Sequence, residues 1–185
     1  MKQSYIVRMV VFGSLLAALL SLTVIGCIHE PSFPNSPQIE FQGFNRSTLK
    51  GGTGVGQQPR DSVLISITFK DGDEDLGNTL PLNAHDSAGY MQAGGWGNYK
   101  IRAFRLENNQ YKEQSTGENN FLLFPRLSRE GQKGPIEGTI DLKQIYYHGP
   151  SFKKYPTKYR IQIRDRALNG SNEIETDTIS VPYPY

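Results

Sequence analysis

The chain reads as an all-β protein: an antiparallel β-sandwich of about seven or eight short strands. Three observations predict this. Apolar and polar residues alternate along much of the chain, the period of a half-buried strand. No segment after residue 27 keeps an i, i+3, i+4, i+7 apolar pattern for three turns. Gly, Pro, Asn and Ser clusters punctuate the alternating runs at the spacing of sandwich strands.

Each element follows from its own residues. Gln38 to Phe44 is a weak first strand, and Gly51 to Gly56 a flexible surface loop. Val63, Ile65, Ile67 and Phe69 alternate with Leu64, Ser66, Thr68 and Lys70, a clean half-buried strand. Tyr99 to Leu106 is the next, and Asn108-Asn109 turns it into Tyr111-Lys112-Glu113. Phe121 to Leu127 is short and interrupted by Pro125, while Ile136, Gly138, Ile140 and Leu142 share one face of a further strand. Lys158 to Arg164 is the strongest: Tyr159, Ile161 and Ile163 point one way, Lys158, Arg160, Gln162 and Arg164 the other. Thr178 to Pro182 is the last. Tyr159 stands two residues before Ile161 near the start of the penultimate strand, the spacing of a tyrosine corner. Such a corner is found in immunoglobulin-like sandwiches, where a cysteine stands at the position Ile161 takes here. Tyr146-Tyr147-His148 and Tyr155 fall in a long aromatic loop between strands.

The 185 residues hold 20 Lys+Arg against 18 Asp+Glu. The excess is Lys2 and Arg8 alone, so the chain beyond residue 26 is neutral. Nothing in its charge points to nucleic acid. Lys2 and Arg8 precede an uncharged run from Met9 to Ile25, the layout of a secretory signal. The run ends in Val24-Ile25-Gly26-Cys27, which resembles a bacterial lipobox. That resemblance implies cleavage before Cys27 and a diacylglyceryl lipid on its thiol. It also accounts for the single cysteine of the chain. The competing reading is an uncleaved signal anchor. The expected organisation is a signal peptide over 1–26, a lipidated cysteine and proline-rich tether over 27–37, and one domain over 38–185. Multiple acyl chains hold a protein to a membrane far more firmly than one. Residue 28 is Ile rather than Asp, so no inner-membrane retention signal is present. The outer membrane is the expected location, on either of its faces.

Asp71-Gly72-Asp73-Glu74-Asp75-Leu76-Gly77 is the densest chemical feature. Asp71, Asp73 and Asp75 resemble the opening of an EF-hand. However, the glycine comes seventh rather than sixth, Leu82 stands at the twelfth position, and a strand precedes the loop. Strand parity adds a fourth acid. Asp71 continues the inward series of Val63 to Phe69, and Asp165 that of Tyr159 to Ile163. In an immunoglobulin-like order these are strands B and F, which end at the same rim. Asp71, Asp73, Asp75 and Asp165 are therefore the candidate ligands of a calcium ion, whose irregular oxygen shell tolerates such a set. Two other readings stay open: an acidic turn neutralised by Arg164 or Arg166, and catalytic carboxylates, which need a substrate cleft.

Three segments carry a family resemblance. Ile65 to Gly77 (ISITFKDGDEDLG) resembles the strand and DGDGDLG loop of small Bacteroidota-type outer-membrane lipoproteins with an immunoglobulin-like domain. Ile136 to Ile140 resembles their mid-domain strand, and Ile163 to Asn172 their DRAGNxSN segment. Glu74 and Leu168 replace glycines of those motifs. The resemblance implies the fold and the location rather than an activity.

Trp96, flanked by Tyr90 and Tyr99 among glycines, is a candidate sugar-stacking or interface group, with a core plug as the alternative. The histidines His29, His85 and His148 have no neighbouring ligand, so no transition-metal site is expected. No Gly-x-Ser-x-Gly elbow is present. The expected function is non-enzymatic: a membrane-anchored interaction or accessory module with a protein partner in the cell envelope. The alternative is a carbohydrate-binding lipoprotein of a glycan-uptake system.

Overall fold

A computed structural model describes residues 31–54, 56–114, 121–128, 131 and 134–184 of the chain. One compact unit spans Ser32–Tyr185. Residues 1–26, Cys27 and the first part of the tether lie outside the described residues. Among the described residues no helix is long and apolar enough to cross a membrane.

The elements are β1 (Gln38–Leu49), β2 (Arg60–Asp71), α1 (Ala84–Gln92), β3 (Tyr99–Glu107), β4 (Gln110–Gln114), β5 (Ile136–Tyr147), β6 (Phe152–Ile163), β7 (Ile174–Glu175) and β8 (Ile179–Pro184). They form two antiparallel sheets. One has the order β1-β2-β5, and the other β4-β3-β6-β7 with β8 also paired to β6. This is the immunoglobulin-like arrangement, with β2 and β6 as the central B and F strands.

The alternation that predicted the strands also builds the core. Val63, Ile65, Ile67 and Phe69 of β2 are buried beside Ile140 and Leu142 of β5. They face Ala103 of β3, Tyr159, Ile161 and Ile163 of β6, and Val181 of β8. Leu76 and Phe124 close the rim where β2 and β6 end.

Several elements differ from expectation. β1 runs on to Leu49 through a bulge at Phe41/Gly43, because its exposed second half is held by backbone pairing to β2 rather than by an apolar face. Residues 121–127 form only isolated bridges at Leu122 and Pro125, since proline cannot sustain a ladder. Tyr146 and Tyr147 belong to β5 and Tyr155 to β6, so the aromatic loop shrinks to the short link after Tyr147. The tyrosine corner is absent. The Tyr159 hydroxyl meets the Tyr146 hydroxyl at 2.6 Å across the sandwich, and burial holds both phenols far above their usual range. The short helix α1 was not expected. It buries only Tyr90, so it carries no apolar stripe. Its signal is local: Asn83 Oδ1 accepts from Asp86 N at 2.8 Å, while Asn83 Nδ2 donates to Asp86 Oδ2 at 2.9 Å.

Candidate metal centre

β2 delivers Asp71 to the rim as the last member of its inward series, fully buried at 0% exposure. β6 delivers Asp165 two residues past its end, also at 0%. The loop after β2 folds back so that Asp73 and Asp75 join them. One carboxylate oxygen from each of Asp71, Asp73, Asp75 and Asp165 lies within 4.8 Å of the others. The four acids placed by spacing and parity thus form one locus spanning both sheets.

The backbone around this locus is tightly specified. Asp71 Oδ2 accepts from Asp75 N at 3.2 Å, and Asp75 Oδ2 from Ala167 N at 3.1 Å. Asp165 accepts twice from Asn169, at Oδ1 from the backbone N–H and at Oδ2 from the side-chain amide, both at 2.8 Å. Ser171 Oγ accepts from Ile163 N at 3.0 Å. Asn172 bonds both backbone groups of Ile39 at 2.9 Å, tying β1 to the loop after β6. Glu74 (φ 56°) and Leu168 (φ 69°) adopt the left-handed conformation that glycine takes readily. These are the two positions where glycines stand in the resembling motifs.

The tether also enters the site. Gly72 N donates to Pro34 O at 2.9 Å. A Cβ at Gly72 would lie 2.4 Å from Phe33 O, so only glycine permits this approach. Lys70 Nζ stands 5.6 Å from the centre of the Phe33 ring.

Among the described residues no ion pair reaches any of the four carboxylates. Arg164 turns away from them. It donates to the backbone oxygens of Gly97 (2.9 Å), Ala93 (2.8 Å), Tyr90 (3.2 Å) and Trp96. Its guanidinium lies 4.7 Å from the Tyr90 ring centre and 4.0 Å from that of Trp96. Arg166 Nη1 donates to Gly77 O at 3.0 Å. Two oxygens, Asp71 Oδ1 and Asp75 Oδ1, are buried without any hydrogen-bond partner.

The electrostatic result is plain. Burial, then the charges of Asp73, Asp75 and Asp165, pushes Asp71 up to about 7. Burial, then Asp165 and Asp73, pushes Asp75 up to about 6, and the Arg166 charge offsets only part of this. Burial also raises Asp165. Such a site either holds protons or takes a hard divalent cation. Four carboxylates supply part of the six to eight oxygens that calcium accepts, with positions left for water or backbone.

The candidate aromatics lie elsewhere. Tyr90 is 2% exposed, and its hydroxyl donates to Asn78 Oδ1 at 2.7 Å. Trp96 is half-buried over Arg164, with Lys100 Nζ 4.9 Å from its ring centre. Tyr99 is half-buried against Phe124, ring centroids 5.9 Å apart. Tyr90 and Trp96 thus flank the Arg164 guanidinium, whereas Tyr99 packs on Phe124, and Trp96 lies outside the sandwich core.

A third fully buried acid, away from the cluster, is not among the residues expected from the sequence. Asp61, at 0% exposure, accepts from Thr48 Oγ1 at 2.7 Å, lies 3.1 Å from His148 Nε2, and is 3.9 Å from Lys154 Nζ. The parity that places Asp71 places Asp61 too, one step before Val63 at the other end of the inward series.

No family model, curated protein or solved structure matches the chain.

Proposed function

We propose that the chain is a lipid-anchored immunoglobulin-like module of the outer membrane, stapled by calcium, that works by binding a cell-envelope partner rather than by catalysis. One observation carries the calcium reading. Asp71, Asp73, Asp75 and Asp165 converge without a counter-cation, and buried Asp71 Oδ1 and Asp75 Oδ1 have no partner. Burying a charge uncompensated is costly, and a bound cation removes the conflict. Calcium suits the set better than magnesium, which requires a near-octahedral shell of short bonds.

The anchor reading rests on the basic start, the apolar run and the lipobox-like end at Cys27. The packing of Phe33 and Pro34 on the Asp71–Gly77 loop supports it, because it sets the ion site at the tether end of the domain. The resemblance to Bacteroidota-type lipoproteins supports the same reading, since its two loop motifs lie side by side at this site. A single locus of like carboxylates suits ion binding.

Thermal unfolding of the full chain in detergent tests the proposal. Calcium at about a hundred times its Kd adds about 2.7 kcal/mol. For a domain of this size that raises Tm by roughly 5–10 °C over EDTA, with a smaller rise in magnesium. An unchanged Tm between millimolar calcium and EDTA defeats the calcium reading. Mass spectrometry of the membrane-extracted chain tests the anchor separately: a Cys27 without added lipid defeats it.

A further inference from the structure

The five-stranded sheet opens at one place. The β3–β6 ladder runs from Tyr99↔Ile163 to Arg105↔Thr157 and stops, although β3 continues to Glu107 and β6 begins at Phe152. Residue 156 is proline, which has no N–H to extend a ladder. Beyond it a groove of about 670 Å³ lies between the β3–β4 turn and the first residues of β6. β2, 12 residues long, separates this end of the sandwich from the carboxylate cluster by about 35 Å.

The groove is cationic and partly rigid. Arg105, Lys153 and Lys154 line it against the single lining acid Glu107, and Lys154 Nζ also stands 3.9 Å from buried Asp61. Arg105 Cζ lies 4.7 Å from the ring centre of Tyr155 and 4.8 Å from that of Tyr183. Its Nε and Nη2 donate to Glu107 Oε1. Among the described residues Nη1 has no hydrogen-bond partner, on a guanidinium already held in place. An arginine fixed in this way beside two lysines is suited to a carboxylate or sulfate group. Since the chain beyond residue 26 is neutral, this is a local charge and not a part of a general basic surface.

The rest of the lining narrows the ligand. Leu106, Pro156 and the Tyr155 ring, which Arg105 covers, are the apolar part of a lining that is otherwise polar or charged, so an apolar molecule gains little. Arg105 occupies a position over both tyrosine rings, which are therefore not bare platforms for a nucleobase. A peptide strand gains little along β6, because one of its edges already pairs with β8 and Pro156, on the edge left open beside β3, offers no donor. The exposed amides of Asn108 and Asn109 at the rim suit hydroxyl groups. We infer that this groove binds an acidic oligosaccharide, a hydroxylated chain carrying carboxylate or sulfate groups. The inference does not depend on the calcium reading, because the two sites lie at opposite ends of the domain.

Calorimetry on the full chain in detergent tests it with trigalacturonate, its uncharged methyl ester and triglutamate. Trigalacturonate is expected to bind, more weakly as salt rises, and the ester at least about tenfold more weakly, the loss of a charge-assisted contact. The double variant Lys153→Ala/Lys154→Ala is expected to lose at least about tenfold. Lys143→Ala/Lys158→Ala, which leaves the groove intact, should bind unchanged. Circular dichroism and Tm of each variant separate lost binding from lost folding. Equal losses in the two variants, equal binding of the ester, or tighter binding of triglutamate would overturn the inference. So would the absence of binding by both trigalacturonate and a sulfated trisaccharide at millimolar concentration.

Discussion

Asp61 and Asp71 occupy the two ends of one inward series on β2, and both are fully buried, yet they carry opposite electrostatics. At Asp61, burial raises the carboxyl, but the Thr48 hydroxyl, His148 and Lys154 outweigh it and hold the group below its usual range. At Asp71, burial is reinforced by three further carboxylates, and the group rises to about 7. Exposure alone does not decide the charge of a buried acid. The partners do, and the protein supplies them at one end only. The end without them is the one that invites an ion from outside.

The pH dependence of stability offers the largest test of this contrast. A folded-state pKa above the unfolded value stabilises the fold below the unfolded pKa, and that contribution is lost as pH rises through the folded pKa. Without calcium, Asp71 and Asp75 should therefore lower stability as pH climbs from about 4 to about 7. For Asp71 the rise from 3.8 to about 7 corresponds to on the order of 4 kcal/mol. Urea unfolding in EDTA at both ends of that window should show the fall, and calcium should restore the loss at the upper end. Asp61, with its lowered pKa, works in the opposite sense, its stability being lost only as pH drops through its depressed value. Equal or higher stability at pH 7 in EDTA would mean that the cluster carries no repulsion.

Asp61→Ala should cost about 1–3 kcal/mol, because it removes the acceptor of the Thr48 hydroxyl and the charge partner of His148. The cost should be the same in calcium and in EDTA. A calcium-dependent cost would join two ends that the geometry separates. Asp71→Asn should do the reverse: gain about 1–2 kcal/mol in EDTA by relieving repulsion, and lose the calcium-induced rise in Tm. The smallest effect is expected at the left-handed positions. Leu168→Gly and Glu74→Gly each relieve roughly 1–2 kcal/mol of backbone strain. They also add unfolded-state entropy worth about 0.5–1 kcal/mol, leaving a net gain below about 1 kcal/mol in denaturant midpoints.

The core strands were legible because β2 and β6 alternate without interruption, and the same parity carried Asp71 and Asp165 to a common rim. Followed back from Val63, the same parity reaches Asp61, which a series running forward from Val63 to Asp71 does not include. What failed was whatever the alternating pattern does not encode. The second half of β1 is backbone pairing under exposed polar side chains. α1 is held by a cap and one buried tyrosine. Arg164 sits beside Asp165 in sequence and suggested a charge partner. Its guanidinium instead satisfies carbonyls around α1, a three-dimensional demand that no local spacing announces.

That arginine has a consequence for how the chain tolerates change. Arg164 grips the last turn of α1 and the segment after it through the oxygens of Tyr90, Ala93, Trp96 and Gly97, groups that every amino acid possesses. The segment is thus specified from outside, by a residue some seventy positions away, more than by its own side chains. Exposed residues such as Met91 and Gln92 are free to diverge or be randomised, while Gly97, where a Cβ would sit 1.9 Å from Leu122 O, is not. One side chain makes this surface a replaceable cassette, and replacing Arg164 would release the whole of it at once.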